Sequence, residues 1–215
     1  SPWRCGRRAA RAIMPLRPVT WTPMFRRVRT RHSALREPHW ARLCARRLPG
    51  VPGAMQDWLG DPGSLTRAIV ARCPRRFAVH LVRQGAGAAM PGEAALLAAG
   101  RRRTALVREV RLHCGREVWV FARTVMPLGS RHGPASALTR LGQRPLGEVL
   151  FSDPTTRRLR VEVARITPRH RLFDAATAHL RRAPKVVWGR RTLFEYRGER
   201  ILVNELFLPS IPGGC

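Results

Sequence analysis

From Arg76 to Leu208 the apolar positions recur mainly every second residue, the period of a strand, and Gly- and Pro-rich turns break the runs. This pattern predicts strands over Arg76–Arg83, Thr104–Cys114, Glu117–Met126, Arg158–Ile166, Arg191–Tyr196 and Arg200–Leu208. Gly115-Arg116 joins the second and third as a tight hairpin, and Arg197-Gly198-Glu199 joins the last two. Helical spacing is shorter and rarer. It covers Ala54–Leu59, a segment capped by Ser64 and running to Arg72 with Leu65, Ala68 and Ile69 turned inward, Pro134–Leu141, and a turn over Pro145–Leu150. Gln84–Gly100 reads as a loop with one helical turn, and Pro168–Lys185 as a polar helical insertion decorating the surface. Strands outnumber helices and hairpins dominate, so the expected class is an antiparallel α+β domain.

Three charged residues fall on apolar faces. In Ile201–Leu208, alternation groups Glu205 with Ile201, Val203 and Phe207. An unpaired carboxylate among such neighbours is held as the neutral acid, which makes Glu205 a candidate proton donor. Arg108 shares a face with Leu106, Val110 and Leu112, while Arg123 is grouped with Trp119, Phe121 and Val125. A buried guanidinium stays charged and needs an anion. Counting back from a turn centred between Gly115 and Arg116 sets Arg108 directly opposite Arg123 and Leu112 opposite Trp119. Like charges so placed repel unless an anion lies between them. Two readings follow: Glu205 neutralises one arginine in a structural ion pair, or the surplus positive charge marks a pocket for a small anion.

Composition changes this picture little. The chain has 215 residues and 44% hydrophobic content, enough for a substantial core in one domain with an appendage. The net charge of +28 suggests nucleic acid, yet Lys185 is the only lysine among 41 basic residues, a skew that fits codon bias better than selection for phosphate contacts. Thirteen arginines and one acid, Glu37, fall in residues 1–50. Pro49-Gly50-Val51-Pro52-Gly53 is the clearest break, so residues 1–50 are expected to form a basic, disordered extension and 51–215 the domain. That extension is Arg-rich like a transit peptide, but its Pro and Trp content fits as well a reading frame lengthened by an upstream start. No apolar run reaches the eighteen residues of a membrane span. Cys5, Cys44, Cys73, Cys114 and Cys215 are odd in number and form no CxxC, which predicts reduced thiols, a cytoplasmic location and no zinc site. His80, His113, His132, His170 and His179 are scattered and read as ordinary histidines rather than ligands.

Seven short motifs, weak singly, are specific in their order and spacing. They are Asp57-Trp58-Leu59, Ser64-Leu65-Thr66, Val107-Arg108-Glu109-Val110, Ala122-Arg123-Thr124-Val125-Met126-Pro127, Leu141-Gly142 with Pro145-Leu146-Gly147, Gly189-Arg190-Arg191, and Glu205-Leu206-Phe207-Leu208-Pro209. Together they resemble the chorismate pyruvate-lyase family, which makes 4-hydroxybenzoate for ubiquinone. The resemblance implies a single antiparallel β-sheet with helices packed around it and a buried ligand pocket under flaps. It also implies elimination of pyruvate from chorismate without metal, nucleotide or redox cofactor. Arg108 and Glu205 match the family's ligand-facing arginine and glutamate. Leu65 and Leu146 match positions whose backbone lines the site, and Arg123 matches an arginine near it. The expected partners are chorismate and 4-hydroxybenzoate, with no specific nucleic acid, and nothing demands more than a monomer. Two other readings stand beside the enzyme: a non-catalytic sensor of small aromatic acids, whose domains share this sheet, and a nucleic-acid binder suggested by the charge.

Overall fold

The computed structural model describes residues 36–43, 48, 50–98, 104–131 and 134–214, all within the unit spanning 32–215. The expectations for residues 1–35, for Cys5, Cys44 and Cys215, and for His132 concern residues outside them. The described elements are β1 (Ala41–Arg42), α1 (Gly53–Gly60), α2 (Leu65–Arg72), β2 (Phe77–Ala88), α3 (Pro91–Leu96), β3 (Thr104–Cys114) and β4 (Glu117–Pro127). Two 3-10 segments (Leu128–Arg131, Pro134–Arg140), α4 (Leu146–Ser152), β5 (Arg157–Ile166), α5 (Arg171–Thr177), β6 (Val187–Tyr196) and β7 (Glu199–Phe207) complete them. The strands form one antiparallel sheet in the order β1-β5-β6-β7-β4-β3-β2. Ser64 caps α2 as expected, its hydroxyl accepting from Arg67 N. The β6–β7 turn sets Arg197 and Gly198 at positive φ, the backbone that a two-residue hairpin requires. No described helix is long and apolar enough to cross a membrane.

Both sheet faces are buried. On one, Met55, Trp58 and Leu59 of α1 and Leu65, Ala68 and Ile69 of α2 pack on Val79, Val110, Leu112 and Phe207. Leu138, Leu141 and Leu150 extend this layer over Leu106, Phe194 and Val203. On the other, α5 packs Leu172, Phe173 and Ala176 on Phe121 and Leu206, while α3 covers Val107, Val125 and Leu202. The 168–185 segment is therefore not surface decoration: its apolar residues close one end of the core. Chain upstream of the Pro49 break also joins the fold, since Ala41 and Arg42 pair with β5 and Glu37 accepts from Gly92 N.

The β3–β4 hairpin corrects the expected register. Leu112 pairs with Val120 but His113 with Val118, so Trp119 is an extra residue in β4, a β-bulge. Its carbonyl is taken by Leu208 N beyond β7. Beyond the bulge every β4 position slips by one, so Arg108 lies opposite Thr124 and Arg123 opposite Glu109. A one-residue slip also exchanges faces. Arg108 keeps the α1/α2 face, and Arg123 goes to the α3/α5 face.

On that second face Arg123 is fully engaged. Its Nε and Nη2 donate to Glu93 and its Nη1 to Glu109, which also receives a bidentate pair from Arg83. Asn204 donates to Glu93 as well. Burial alone depresses the Arg123 guanidinium, but Glu93 and Glu109 outweigh it and hold the group above its ordinary value. Burial raises the Glu109 carboxyl and the two arginines overcome this, so it stays below the ordinary range.

Cys73 and Cys114 form a disulfide, Cα to Cα 5.7 Å, against the expected free thiols. They are 41 residues apart and meet because the end of α2 packs on the ends of β2 and β3.

Removing one partner from a buried charge pair strands the other. Glu93→Ala should therefore lower stability by roughly 3–5 kcal/mol in urea unfolding, whereas Glu195→Ala, which breaks the exposed pair with Arg157, should cost under about 1 kcal/mol. Equal losses would refute the structural role of the Glu93–Arg123–Glu109 cluster.

Candidate functional site

A pocket lies between the α1/α2 face of the sheet and two helix starts. The helices supply Leu65, Thr66, Leu146 and Gly147 from their first turns, with Leu150 and Phe151 beyond. The sheet supplies Val79, Val110, Leu112 and Phe194 as walls, and Arg108, Thr124 and Glu205 as polar groups. Apolar walls around a few convergent polar groups suit a small organic ligand.

Arg108 is 2% exposed. Its Nη2 donates to the carbonyls of Gly142 and Arg144, at 2.9 and 3.0 Å, and its Nε is buried without an acceptor. No carboxylate neutralises it among the described residues. Burial accordingly lowers its proton affinity. The two carbonyls fix the plane of the guanidinium while leaving its charge open, which is the arrangement for receiving an anion from the pocket.

Glu205 lies across β4 from Arg108, on β7. Its Oε2 receives Arg190 Nε at 2.7 Å, and Arg190 Nη1 donates to the carbonyls of Asp61 and Trp58. The expectation of an unpaired, neutral carboxyl is thus corrected: Glu205 is ion-paired, its side chain 13% exposed toward the pocket. Cross-strand pairing aligns Glu205 with Ala122 and Thr124 with both Arg108 and Val203. Arg108 and Glu205 are thus two strand spacings apart, about 10 Å, and offset by two residues, about 7 Å. One ring bearing polar groups at opposite ends fits between their side chains.

The lids are held by packing and by one arginine. A Cβ on Gly147 would lie 3.1 Å from Ser64 Oγ and 3.2 Å from Thr66 Oγ1, so glycine lets α4 approach the start of α2. The first N–H groups of α2, those of Leu65 and Thr66, have no carbonyl one turn back and are free to donate. Arg158 donates to the carbonyls of Pro62 and Gly63 and stacks 5.8 Å from Phe151 and 5.5 Å from Phe194. It ties the loop before α2 to the end of α4. Among the described residues no group of three or more His, Cys, Asp or Glu could hold a metal ion.

Of the sequence-selected residues, Arg108, Glu205, Leu65 and Leu146 meet at this pocket and Arg123 does not. Arg190 was missed as a site residue. Starting the strand at Arg191 left it outside, whereas extending the alternation from Phe194 through Thr192 places Arg190 on the pocket face. The expected pair of Arg108 and Arg123 sharing one carboxylate is not found: Arg123 is neutralised by Glu93 and Glu109, and Arg190 is the arginine that pairs with Glu205.

A family model described as chorismate lyase matches residues 35–212. A probable chorismate pyruvate-lyase of Thiobacillus denitrificans is 39% identical over 75% of this chain and 86% of its own length. That of Nitrosospira multiformis is 41% identical over 73% and 87%. Among solved structures, the effector domain of PhnF from Mycobacterium smegmatis superposes with a TM-score of 0.50 at 17% identity, covering 67% of this chain and 88% of that one, a likeness of fold alone. With the match to the family model spanning most of its length, the chain belongs to the chorismate lyase family.

Proposed function

We propose that this protein eliminates pyruvate from chorismate to give 4-hydroxybenzoate, the step that supplies the ubiquinone ring. The observation that carries the reading is Arg108, a buried guanidinium whose charge no carboxylate among the described residues neutralises and which opens onto an apolar pocket. Chorismate brings a ring carboxylate to it. The N–H groups at the starts of α2 and α4, around Leu65 and Leu146, complete the cradle for that carboxylate.

Glu205 then faces the opposite end of the ring. There the C4–H bond and the bond from C3 to the enolpyruvyl oxygen break. The electron pair of the C–H bond enters the ring, which becomes aromatic, while the C–O pair leaves on the enolpyruvyl oxygen. Protonation of enolpyruvate yields pyruvate. Glu205, held by Arg190, accepts the 4-hydroxyl and assists the proton's departure from C4. Arg123, on the far face, supports the sheet and does not reach the ligand. Arg158 and the aromatic pair it stacks on close the mouth, so opening of the lids limits product release.

Purified protein mixed with chorismate in chelating buffer should form 4-hydroxybenzoate and pyruvate in equal amounts. Arg108→Gln should reduce kcat/KM at least about a hundredfold, or roughly 3 kcal/mol, with the fold retained by circular dichroism. Glu205→Gln should lower kcat by about 10²–10⁴ while still binding 4-hydroxybenzoate. Full turnover in this variant would remove Glu205 from proton transfer, and saturable product binding without turnover in the wild type would favour a sensor. Gly147→Ala, which pushes the lids apart by a few tenths of an ångström, should raise KM by roughly threefold to tenfold and leave the unfolding midpoint nearly unchanged.

A further inference from the structure

A cluster of one arginine and three histidines belongs to the opposite face of the sheet. Val79, Val110 and Leu112 face the pocket, so alternation turns His80, Arg111 and His113 to the α3/α5 side. His80 pairs across the strands with Arg111, and its ring centroid is 6.0 Å from that of His113. His179, in the turn after α5, comes from the segment that the sequence sets apart as an insertion. Four nitrogens of this group, Arg111 Nε, His113 Nε2 and both ring nitrogens of His179, are closed off from solvent without a hydrogen-bond partner.

Buried polar nitrogens are ordinarily paired, and a patch of them without partners marks a missing group. Among the described residues no carboxylate supplies it. Glu109, the acid on this face of β3, is occupied by Arg83 and Arg123. The groups that act electrostatically on His113 are His80 and Arg111, and those acting on His179 are Arg111 and His113, all cationic or neutral. From these placements we infer a second ligand site, between β2–β3 and the turn after α5, that takes a small oxyanion of the carboxylate, sulfate or phosphate type. Arg111 supplies the permanent charge. His113 and His179 supply N–H donors, one each when neutral and two each when protonated.

Burial, followed by the neighbouring positive groups, lowers both histidines below their ordinary 6.5. A folded state with lowered histidines binds fewer protons than the unfolded chain, so their contribution to stability is complete above 6.5 and is lost as the pH falls below it. A bound anion favours the protonated rings and offsets that loss. The site thereby couples the seating of α5 to anion concentration and acidity, independently of the pocket across the sheet.

The test uses the full chain. Thermal midpoints are measured at pH 8 and pH 5.5 with millimolar sodium sulfate against sodium chloride of equal ionic strength, sulfate being a dianion at both. Sulfate should raise the midpoint by about 5–10 °C at a hundredfold excess over its Kd, more at pH 5.5 than at pH 8. The gain should disappear in Arg111→Gln and in His179→Gln, two variants so that misfolding of one leaves the other, with chorismate turnover unaltered in both. Inorganic phosphate and pyruvate, titrated at pH 6, then distinguish a tetrahedral from a carboxylate ligand. Equal stabilisation of wild type and both variants, or none beyond chloride, overturns the site. Loss of turnover in the variants would overturn its independence from the pocket.

Discussion

Buried positive charge has to be balanced separately on each face of this sheet, and one extra residue in β4 makes that possible. Without the bulge at Trp119, Arg108 and Arg123 would be opposite one another on a single face, two guanidinium groups out of water with one carboxylate nearby. The slip gives Arg123 to Glu93 and Glu109, where hydrogen bonds and charge overcome its desolvation. It leaves Arg108 on the pocket face with no carboxylate partner among the described residues. A structural ion network and a vacancy of negative charge thus arise from the same local irregularity, each on its own side of the sheet.

The pocket face shows how that vacancy is kept open. Glu205 would be the obvious neutraliser for Arg108, and Arg190 prevents it by engaging the carboxylate at 2.7 Å while its own Nη1 is anchored on Trp58 and Asp61 carbonyls. Those carbonyls belong to the end of α1 and the loop before α2, so the pair also fixes the floor beneath the lid. Arg158 secures the other side of the same loop. Charge placement and the placement of the loop before α2 therefore rest on the same hydrogen bonds.

Much of this was legible in the chain. Period-two alternation located β3, β4, β5 and β7 within a residue or two and put Arg108 and Glu205 on buried faces, because both faces of the sheet are covered and a charged residue there is conspicuous. Ser64 announced α2. The bulge was not legible, since Trp119 and Val120 are both apolar and either register satisfies the pattern. Arg190 falls one residue before the expected strand start, although β6 begins at Val187, and it sits beside the equally charged Arg191, which turns to Glu162 on the other face. The apolar residues of α5 sit in a polar, Arg-rich stretch that masked its contribution to the core, and the Cys73–Cys114 contact depends on tertiary packing that no spacing rule encodes.

Among the described residues no carboxylate neutralises Arg108, and the proposed function assigns that role to a ligand's carboxylate. Calorimetric affinities for 4-hydroxybenzoate and its neutral isostere 4-hydroxybenzamide test it directly in the wild type and in Arg108→Gln. A charge-assisted contact contributes about 1.5–3 kcal/mol, so the wild type should prefer the carboxylate by roughly tenfold to a hundredfold and the variant should show almost no preference. Equal discrimination in the two proteins would mean that the carboxylate is bound elsewhere, and the account of the pocket would be wrong.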